Sequence, residues 1–302
     1  MKARTADRKD VHGWVVLDKP AGLNSTRAVA MVKRIFAAKK AGHAGTLDPL
    51  ATGLLPIAFG EATKTVPFVQ DGEKSYRFTV RWGIETDTDD ADGVPLAKSE
   101  KRPKLEEITA LLPEFIGTIE QCPPAYSAIK INGERAYDLA REGAAPVLAP
   151  RLVSIHALNL LMSEEDADET VFEARCGKGT YVRAIARDLG RRLGCYGHVR
   201  ALRRTRVGPF YETDAVSLTA LEDPAARAVA LQRVEAGLGE VPRVAVDLGA
   251  AARLRRGQPL LLRGPNAPFD GSAYAACGGV VVAIGAVEKG ELIPGRIFNL
   301  PY

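Results

Sequence analysis

The stretch "KSYRFTVRWG", residues 74–83, alternates without a slip: Tyr76, Phe78, Val80 and Trp82 share one face, Arg77, Thr79 and Arg81 the other. A period of two predicts a half-buried strand. "RLVSIHALNLL" and "ETVFEARCGKG" read as two more strands around the polar link "MSEEDAD". "GWVVLDKPAG" is an apolar run ended by a Pro-Ala-Gly turn, which predicts a short strand and a loop. Helical spacing takes over in "NSTRAVAMVKRIFAAKK", where cap-type residues come first and Ala28, Val32, Ile35 and Phe36 recur on one side. Its last turn carries lysines, as the helix dipole favours. "TYVRAIARDLGRRLG" has a stripe of Tyr181, Ile185 and Leu189 and a stop at Gly194. "KLEEITALLPEFIG" predicts a further helix and "HVRALRRTRVGPF" a short strand returning to the core. Asn132-Gly133 predicts a tight turn leading into a helical pattern through Leu139.

After Asp214 the texture changes. "AARLRRGQPLLLRG" and "GGVVVAIGAVEKGELIPGRIFNL" are short β-rich runs punctuated by glycine, suited to a small barrel. The mixed order of elements predicts an α+β protein. It divides into a larger domain over 1–235 and a small one over 236–302, with the change falling between Glu222 and Val244.

Composition narrows the class. No stretch of the 302 residues approaches the roughly 20 apolar residues that span a bilayer, and the first fourteen are polar, without a signal's apolar core. The expected location is the cytoplasm. Cys122, Cys176, Cys195 and Cys277 form no C-x-x-C pair, and the four histidines show no H-x-x-x-H spacing, so neither a metal nor a disulfide framework is expected. A net charge of +4 says less than its distribution. Eight arginines (183, 187, 191, 192, 200, 203, 204, 206) stand between Tyr181 and Arg206 against Asp188, and five Lys/Arg with no acid stand between Arg27 and His43. Two such zones predict a footprint for a polyanion, RNA or DNA. "ETDTDDADG", from Glu85 to Gly93, carries the opposite charge and reads as a solvated or RNA-avoiding loop near the cleft.

The chemistry centres on "AGHAGTLDPLATGLLP", where Asp48 is the one carboxylate among small and apolar residues. Pro49 pushes Asp48 toward extended geometry, and Gly42, Gly45 and Gly53 permit close backbone approach. An Asp-Pro is most often a turn starter, so a catalytic reading needs a partner. Arg183, near the start of its helix, is the best one. Desolvation raises a carboxyl above its ordinary value of about 3.9, and an arginine at close range lowers it by roughly 1–3 pH units. Tyr76 is either a core aromatic or a ring that stacks on an extruded base, and His43 either a loop donor or a side chain that fills a gap in an RNA loop.

"LDKPAG", "GHAGTLDPLATGLLPI", "SYRF" followed by "ETDTDDADG", "PPAYSAIKINGERAYDLAREG" and "GKGTYVRAIARDLG" occur in this order. Together, over roughly residues 12 to 210, they resemble the bacterial tRNA pseudouridine synthase B (TruB) family. The resemblance implies a pseudouridine synthase core, with a mixed, mostly antiparallel sheet and a central cleft. The C-terminal part is compared to a PUA-like RNA-binding module by its position and β-rich texture. The implied reaction is isomerisation of the T-loop uridine of tRNA (position 55) to pseudouridine, with no cofactor or metal. Asp48 matches the essential aspartate, which works on the glycosidic bond by attack at C1′, by addition at C6 or through a glycal. Tyr76 matches the tyrosine stacked on the flipped uracil and Arg183 the arginine paired with the aspartate. His43 matches the histidine inserted into the T-loop, while Tyr181 and Leu202 match pocket-lining positions. The implied partner is the tRNA T-arm, bound by a monomer with no membrane and no obligatory protein partner.

Two other readings compete. A non-catalytic tRNA chaperone would share the basic faces without needing Asp48, Tyr76 and Arg183 together. A glycoside hydrolase needs two carboxylates flanking the bond, the second coming from "DTDDAD".

Overall fold

The computed structural model describes residues 8–127, 129–131, 134–135, 148–163, 168–264 and 267–301. Among these, ten strands form one mixed sheet. Its order is Ala215–Val216, Gly13–Lys19, Thr52–Phe59, Gly197–Val207, Lys74–Trp82, Glu169–Cys176, Arg151–Ser163 and Gly117–Gln121, with Ala41–His43 and Phe210–Tyr211 paired alongside. Gly13–Lys19 runs parallel to Ala215–Val216, and Thr52–Phe59 parallel to Gly197–Val207; the other pairings are antiparallel.

The alternating strand behaves as its pattern requires: Phe78, Val80 and Trp82 are buried, Arg77 and Arg81 exposed. Phe172 stacks on Phe78 at 5.4 Å and meets Trp82 edge-on at 6.3 Å. The buried indole N–H of Trp82 is satisfied by Thr170 Oγ1 at 2.9 Å. The helices Ser25–Ile35 and Val182–Arg192 cover this face and close one apolar core with it. Asn24 caps the first through a bond from Arg27 N to its side chain (2.8 Å), and Ala28 and Val32 point inward as their spacing predicts.

Three expectations are corrected. Gly197–Val207 is no short return strand but eleven residues at the centre of the sheet. Register shifts between Val199 and Ala201 and between Arg204 and Arg206 reset its alternation, which hides the period in the sequence. "KLEEITALLPEFIG" is helical only over Leu105–Leu111, followed by a tighter 3₁₀ turn over Leu112–Phe115 that contains Pro113, which has no N–H to continue the α pattern. Asn132, Gly133 and the expected helical residues 136–139 lie outside the described residues, but Glu134–Arg135, where the sequence pattern predicts that helix to begin, is a strand paired antiparallel with Lys130–Ile131.

A second sheet of five strands follows, in the order Arg243–Ala245, Gly271–Cys277, Val280–Glu288, Glu291–Ile297 and Leu260–Leu261. The helix Leu248–Arg255 buries Ala251 and Leu254 against it. This sheet is joined to the first one. Tyr274, Val281, Ile284 and Phe298 share an apolar cluster with Trp14, Val16, Leu54 and Ala58, and Lys64 Nζ donates to Ile297 O at 2.7 Å.

Candidate active site

Asp48 sits on the loop between the Ala41–His43 and Thr52–Phe59 strands, and two buried cations shape that loop. Lys19, fully buried, donates to the carbonyls of Pro20 (3.0 Å), Leu23 (2.7 Å) and Pro49 (3.2 Å). Arg204, also buried, donates to those of Leu54 (2.8 Å), Thr46 (3.3 Å) and Gly45 (3.0 Å). Ser25 Oγ adds a reciprocal pair of bonds to Leu47, both 2.8 Å. The glycine-rich loop is therefore pinned by its own backbone, leaving the Asp48 side chain free to face a cavity. Burial pushes the Lys19 amine down to about 8; nearby Asp48 opposes that shift and Arg204 adds to it.

Arg183 reaches Asp48 from the first turn of the Val182–Arg192 helix. Gln121 fixes that turn, accepting from Tyr181 N (2.8 Å) and donating to Tyr181 O (3.2 Å). The Arg183 Nε lies 2.9 Å from Asp48 Oδ2 and 3.7 Å from Asp90 Oδ2. Its Nη1 donates to Thr88 O (2.7 Å) and its Nη2 to Tyr126 O (2.9 Å). The guanidinium is 5% exposed with its fork engaged, so it is an internal group and not a phosphate clamp.

Tyr76 lies opposite Arg204 in the strand register and is half-buried. Desolvation raises its phenol above the ordinary value, with the Arg204 charge opposing, so the proton stays on at neutral pH. Asp48, Tyr76, Tyr181, Arg183 and Leu202 all line one cavity of about 330 Å³. His43 does not. It ends the Ala41–His43 strand opposite Ile57, on the approach to the Asp48 loop. A wider groove of about 510 Å³ includes Arg77, Arg200 and Asp92 but neither Asp48 nor Arg183, so size does not mark the chemistry here.

The charge reading needs correction. Most of the 183–206 arginines are paired with acids: Arg187 with Asp89 (2.9 Å), Arg191 with Glu85 (2.7 Å), Arg203 with Asp18 (3.0 Å) and Glu212 (2.6 Å), and Arg206 with Glu73 (2.6 Å) and Glu240 (3.0 Å), while the Arg191, Arg192 and Arg200 side chains stay more than half exposed. "ETDTDDADG" is no solvated loop either, since Glu85, Asp89 and Asp90 are buried. The partners stand far apart in the chain, so each run looks unbalanced when read locally. The earlier basic run does keep Arg27, Arg34, Lys39 and Lys40 at the surface. Sequence reasoning missed Lys19, Gln121 and Arg204; the first lay in the quoted "LDKPAG", the last inside the supposed footprint. Among the described residues no group of three His, Cys, Asp or Glu side chains gathers to hold a metal.

Comparison with known proteins places this arrangement. The N-terminal domain of the TruB family pseudouridylate synthases matches residues 33–182, and the tRNA pseudouridylate synthase B C-terminal domain matches 183–237. The tRNA pseudouridine synthase B of Nitrobacter winogradskyi is 60% identical, the alignment covering 97% of this chain and 84% of that protein. The corresponding protein of Rhizobium meliloti is 50% identical over 98% of each. Among solved structures, a Cbf5-Nop10-Gar1 complex contains a chain that superposes with a TM-score of 0.72 at 25% identity, covering 95% of this chain and 84% of that one. A chain in an H/ACA RNP bound to a substrate RNA containing 2′-deoxyuridine gives a TM-score of 0.75 at 23% identity, over 96% and 86%. The second likeness concerns the fold.

Proposed function

The chain belongs to the TruB family of pseudouridylate synthases, and on that premise we propose that it acts on the T-loop uridine of tRNA, position 55, with Asp48 as the catalytic carboxylate. The coarser activity is that of its relatives: it is an isomerase that converts a tRNA uridine to pseudouridine. In that reaction the C1′–N1 bond breaks, the base turns, a C1′–C5 bond forms, the C5 proton leaves and N1 takes one up.

The observation that carries the reading is the Asp48–Arg183 pair at 2.9 Å, opening on a cavity also lined by Tyr76. A base stacked in a tRNA loop must be extruded to enter such a cavity, at a cost of a few kcal/mol. The Tyr76 ring gives it a stacking surface, Leu202 and Tyr181 wall it in, and Asp48 acts at the junction of ribose and base. Arg183 supplies the opposite charge next to the carboxylate without leaving its own hydrogen bonds. His43, on the approach to the loop, fills the gap the base leaves. The 236–302 segment serves as a PUA-like RNA-binding module on a monomer that works in the cytoplasm and needs no protein partner. Among the described residues no helix is long and apolar enough to cross a membrane.

The test is pseudouridine mapping in total tRNA with and without the protein, together with tritium release from labelled tRNA by wild type and Asp48→Asn. Release at the T-loop uridine by wild type alone supports the reading. Equal release by both variants removes Asp48 from catalysis, and no release by either favours a chaperone. Free uracil would favour a hydrolase; what weighs against that rival is that none of Asp87, Asp89, Asp90 and Asp92 lines the cavity.

A further inference from the structure

Helical spacing puts Arg183, Arg187 and Arg191 on one stripe, each four residues from the next. The stripe meets the acidic loop rung by rung: Arg183 beside Asp90, Arg187 on Asp89, Arg191 forked onto Glu85. Only the first rung reaches the cavity. The second is as enclosed as the first and more so than the third, with the Arg187 and Asp89 side chains 7% and 8% exposed against 54% for Arg191.

We propose that the Asp89–Arg187 pair is a positioning device for the catalytic centre, holding the two backbone carbonyls that aim the Arg183 fork at Asp48. Those carbonyls are Thr88 O and Tyr126 O. Thr88 precedes Asp89, whose carboxylate takes Arg187 Nη1 at 2.9 Å. Tyr126 closes a short segment that begins at Cys122, whose carbonyl takes Arg187 Nη2 at 2.8 Å. One guanidinium thus ties down both segments on which the other depends. The turn itself is unusual, since Asp89 stands at φ 60°, in the left-handed region that side chains seldom adopt. Bonds from Asp89 N to Thr86 O (3.2 Å) and from Val199 N to Asp89 O (3.0 Å) hold it there. Neither Asp89 nor Arg187 lines the cavity, so the pair acts through Arg183. The inference rests on the assignment of Asp48 and Arg183 made above.

A titration signature accompanies this geometry. Around Asp89 stand Arg183, Arg187 and Arg191 of the helix and Glu85 of the adjoining strand, with Asp90 next in its own loop and Asp188 bonded to Arg187 Nε. Burial pushes the Asp89 carboxyl up to about 6, against the pull of Arg187 and Arg183. Protonation below that pH removes the charge that Asp89 offers Arg187 Nη1.

Single-turnover and steady-state tritium release, measured from pH 5 to 8.5 on wild type, Asp89→Asn and Arg187→Lys, tests the proposal. Val282→Ala, a truncation in the core of the small sheet, is the control for general destabilisation. The expected result is a kcat loss of roughly 10–100-fold at pH 7.5 in Asp89→Asn, with KM for tRNA within about twofold, as for a small misplacement of a reacting group. Arg187→Lys is expected to lose less, and the wild-type acid limb near pH 6 is expected to vanish in Asp89→Asn. Should a single variant fail to fold, the double variant Asp89→Asn/Arg187→Gln, a neutral hydrogen-bonding pair, is read in the same way. Wild-type kcat in Asp89→Asn, an unchanged acid limb, or a loss matched by Val282→Ala overturns the positioning role. Absence of release by wild type overturns the underlying assignment as well, which separates the two failures.

Discussion

Gly53 and Arg204 face each other across the parallel pairing of Thr52–Phe59 with Gly197–Val207, so close that a Cβ on Gly53 would stand 2.3 Å from the Arg204 carbonyl oxygen. Gly53 also sits at φ 93°, in the left-handed region. The contact sets the depth at which Arg204 enters the Asp48 loop. Gly53→Ala therefore meets steric and backbone strain at once, with an expected loss of at least about 2 kcal/mol in unfolding free energy. Urea unfolding checks it, and wild-type stability would show that the two strands can separate without cost.

Arg183→Lys keeps the charge and loses the fork. One ammonium cannot serve Asp48, Thr88 O and Tyr126 O with the same planar geometry. The expected outcome is a kcat lower by roughly 100-fold with KM for tRNA near normal, the pattern for a group that acts on the reacting centre. Steady-state tritium release measures both constants.

Much of this site was legible in the chain. The strict alternation around Tyr76 and the cap and stripe of the Val182–Arg192 helix are local patterns, and local patterns survive folding. The family motifs put Asp48, Tyr76 and Arg183 on one list, and the structure brings them to one cavity. What was illegible is non-local. Arg204 looked like one more surface arginine because its acceptors, the carbonyls of Gly45, Thr46 and Leu54, carry no side-chain signature. Lys19 looked like the end of a strand for the same reason.

The pairing of Arg206 with two acids reverses a simple expectation about salt. Arg206 is bonded to Glu73 and Glu240, so Arg206→Ala is expected to lower stability by roughly 1–2 kcal/mol and leave the salt slope of tRNA binding unchanged. Arg27 and Arg34 are exposed on the earlier basic run, and their alanine variants are each expected to reduce the slope by about 1 if they meet phosphates. Binding titrations at several salt concentrations separate the two cases. A flattened slope in Arg206→Ala would return that residue to the RNA-facing surface.

Lys19 predicts a dependence on alkaline pH. Its amine falls to about 8 in the folded chain against an ordinary 10.5, so between these values the unfolded chain binds the extra proton and the folded one does not. Stability from this group therefore rises with pH across that window and is flat below it. Relative to Lys19→Met, wild type is expected to gain about 2 kcal/mol between pH 8 and 10, taking 1.36 kcal/mol per pH unit. Urea unfolding of both proteins at pH 7.5, 9 and 10 reads the difference. A constant gap would mean that the amine stays charged inside the fold, held by its three carbonyls.

Tyr76 combines a ring and a hydroxyl whose contributions separate by substitution. Desolvation raises the phenol above its ordinary value, so at neutral pH the free hydroxyl carries a proton it can donate. Tyr76→Phe preserves the ring that would stack on the extruded base while removing that donor. The expected result is a kcat lower by roughly 10–100-fold with tRNA binding unchanged, within the range for a positioned proton-transfer group. Tyr76→Leu removes the stacking surface as well, and base–aromatic stacking is worth roughly 1–3 kcal/mol, so its KM is expected to rise in addition to the loss of kcat. Because Tyr76 lies on the Lys74–Trp82 strand, paired with Arg204 on one side and Ala174 on the other, a smaller side chain leaves the sheet register in place, and thermal unfolding of both variants verifies this. Equal kcat and KM in Tyr76→Phe and wild type would confine Tyr76 to packing and stacking, and the proton would have to travel by another group of the cavity.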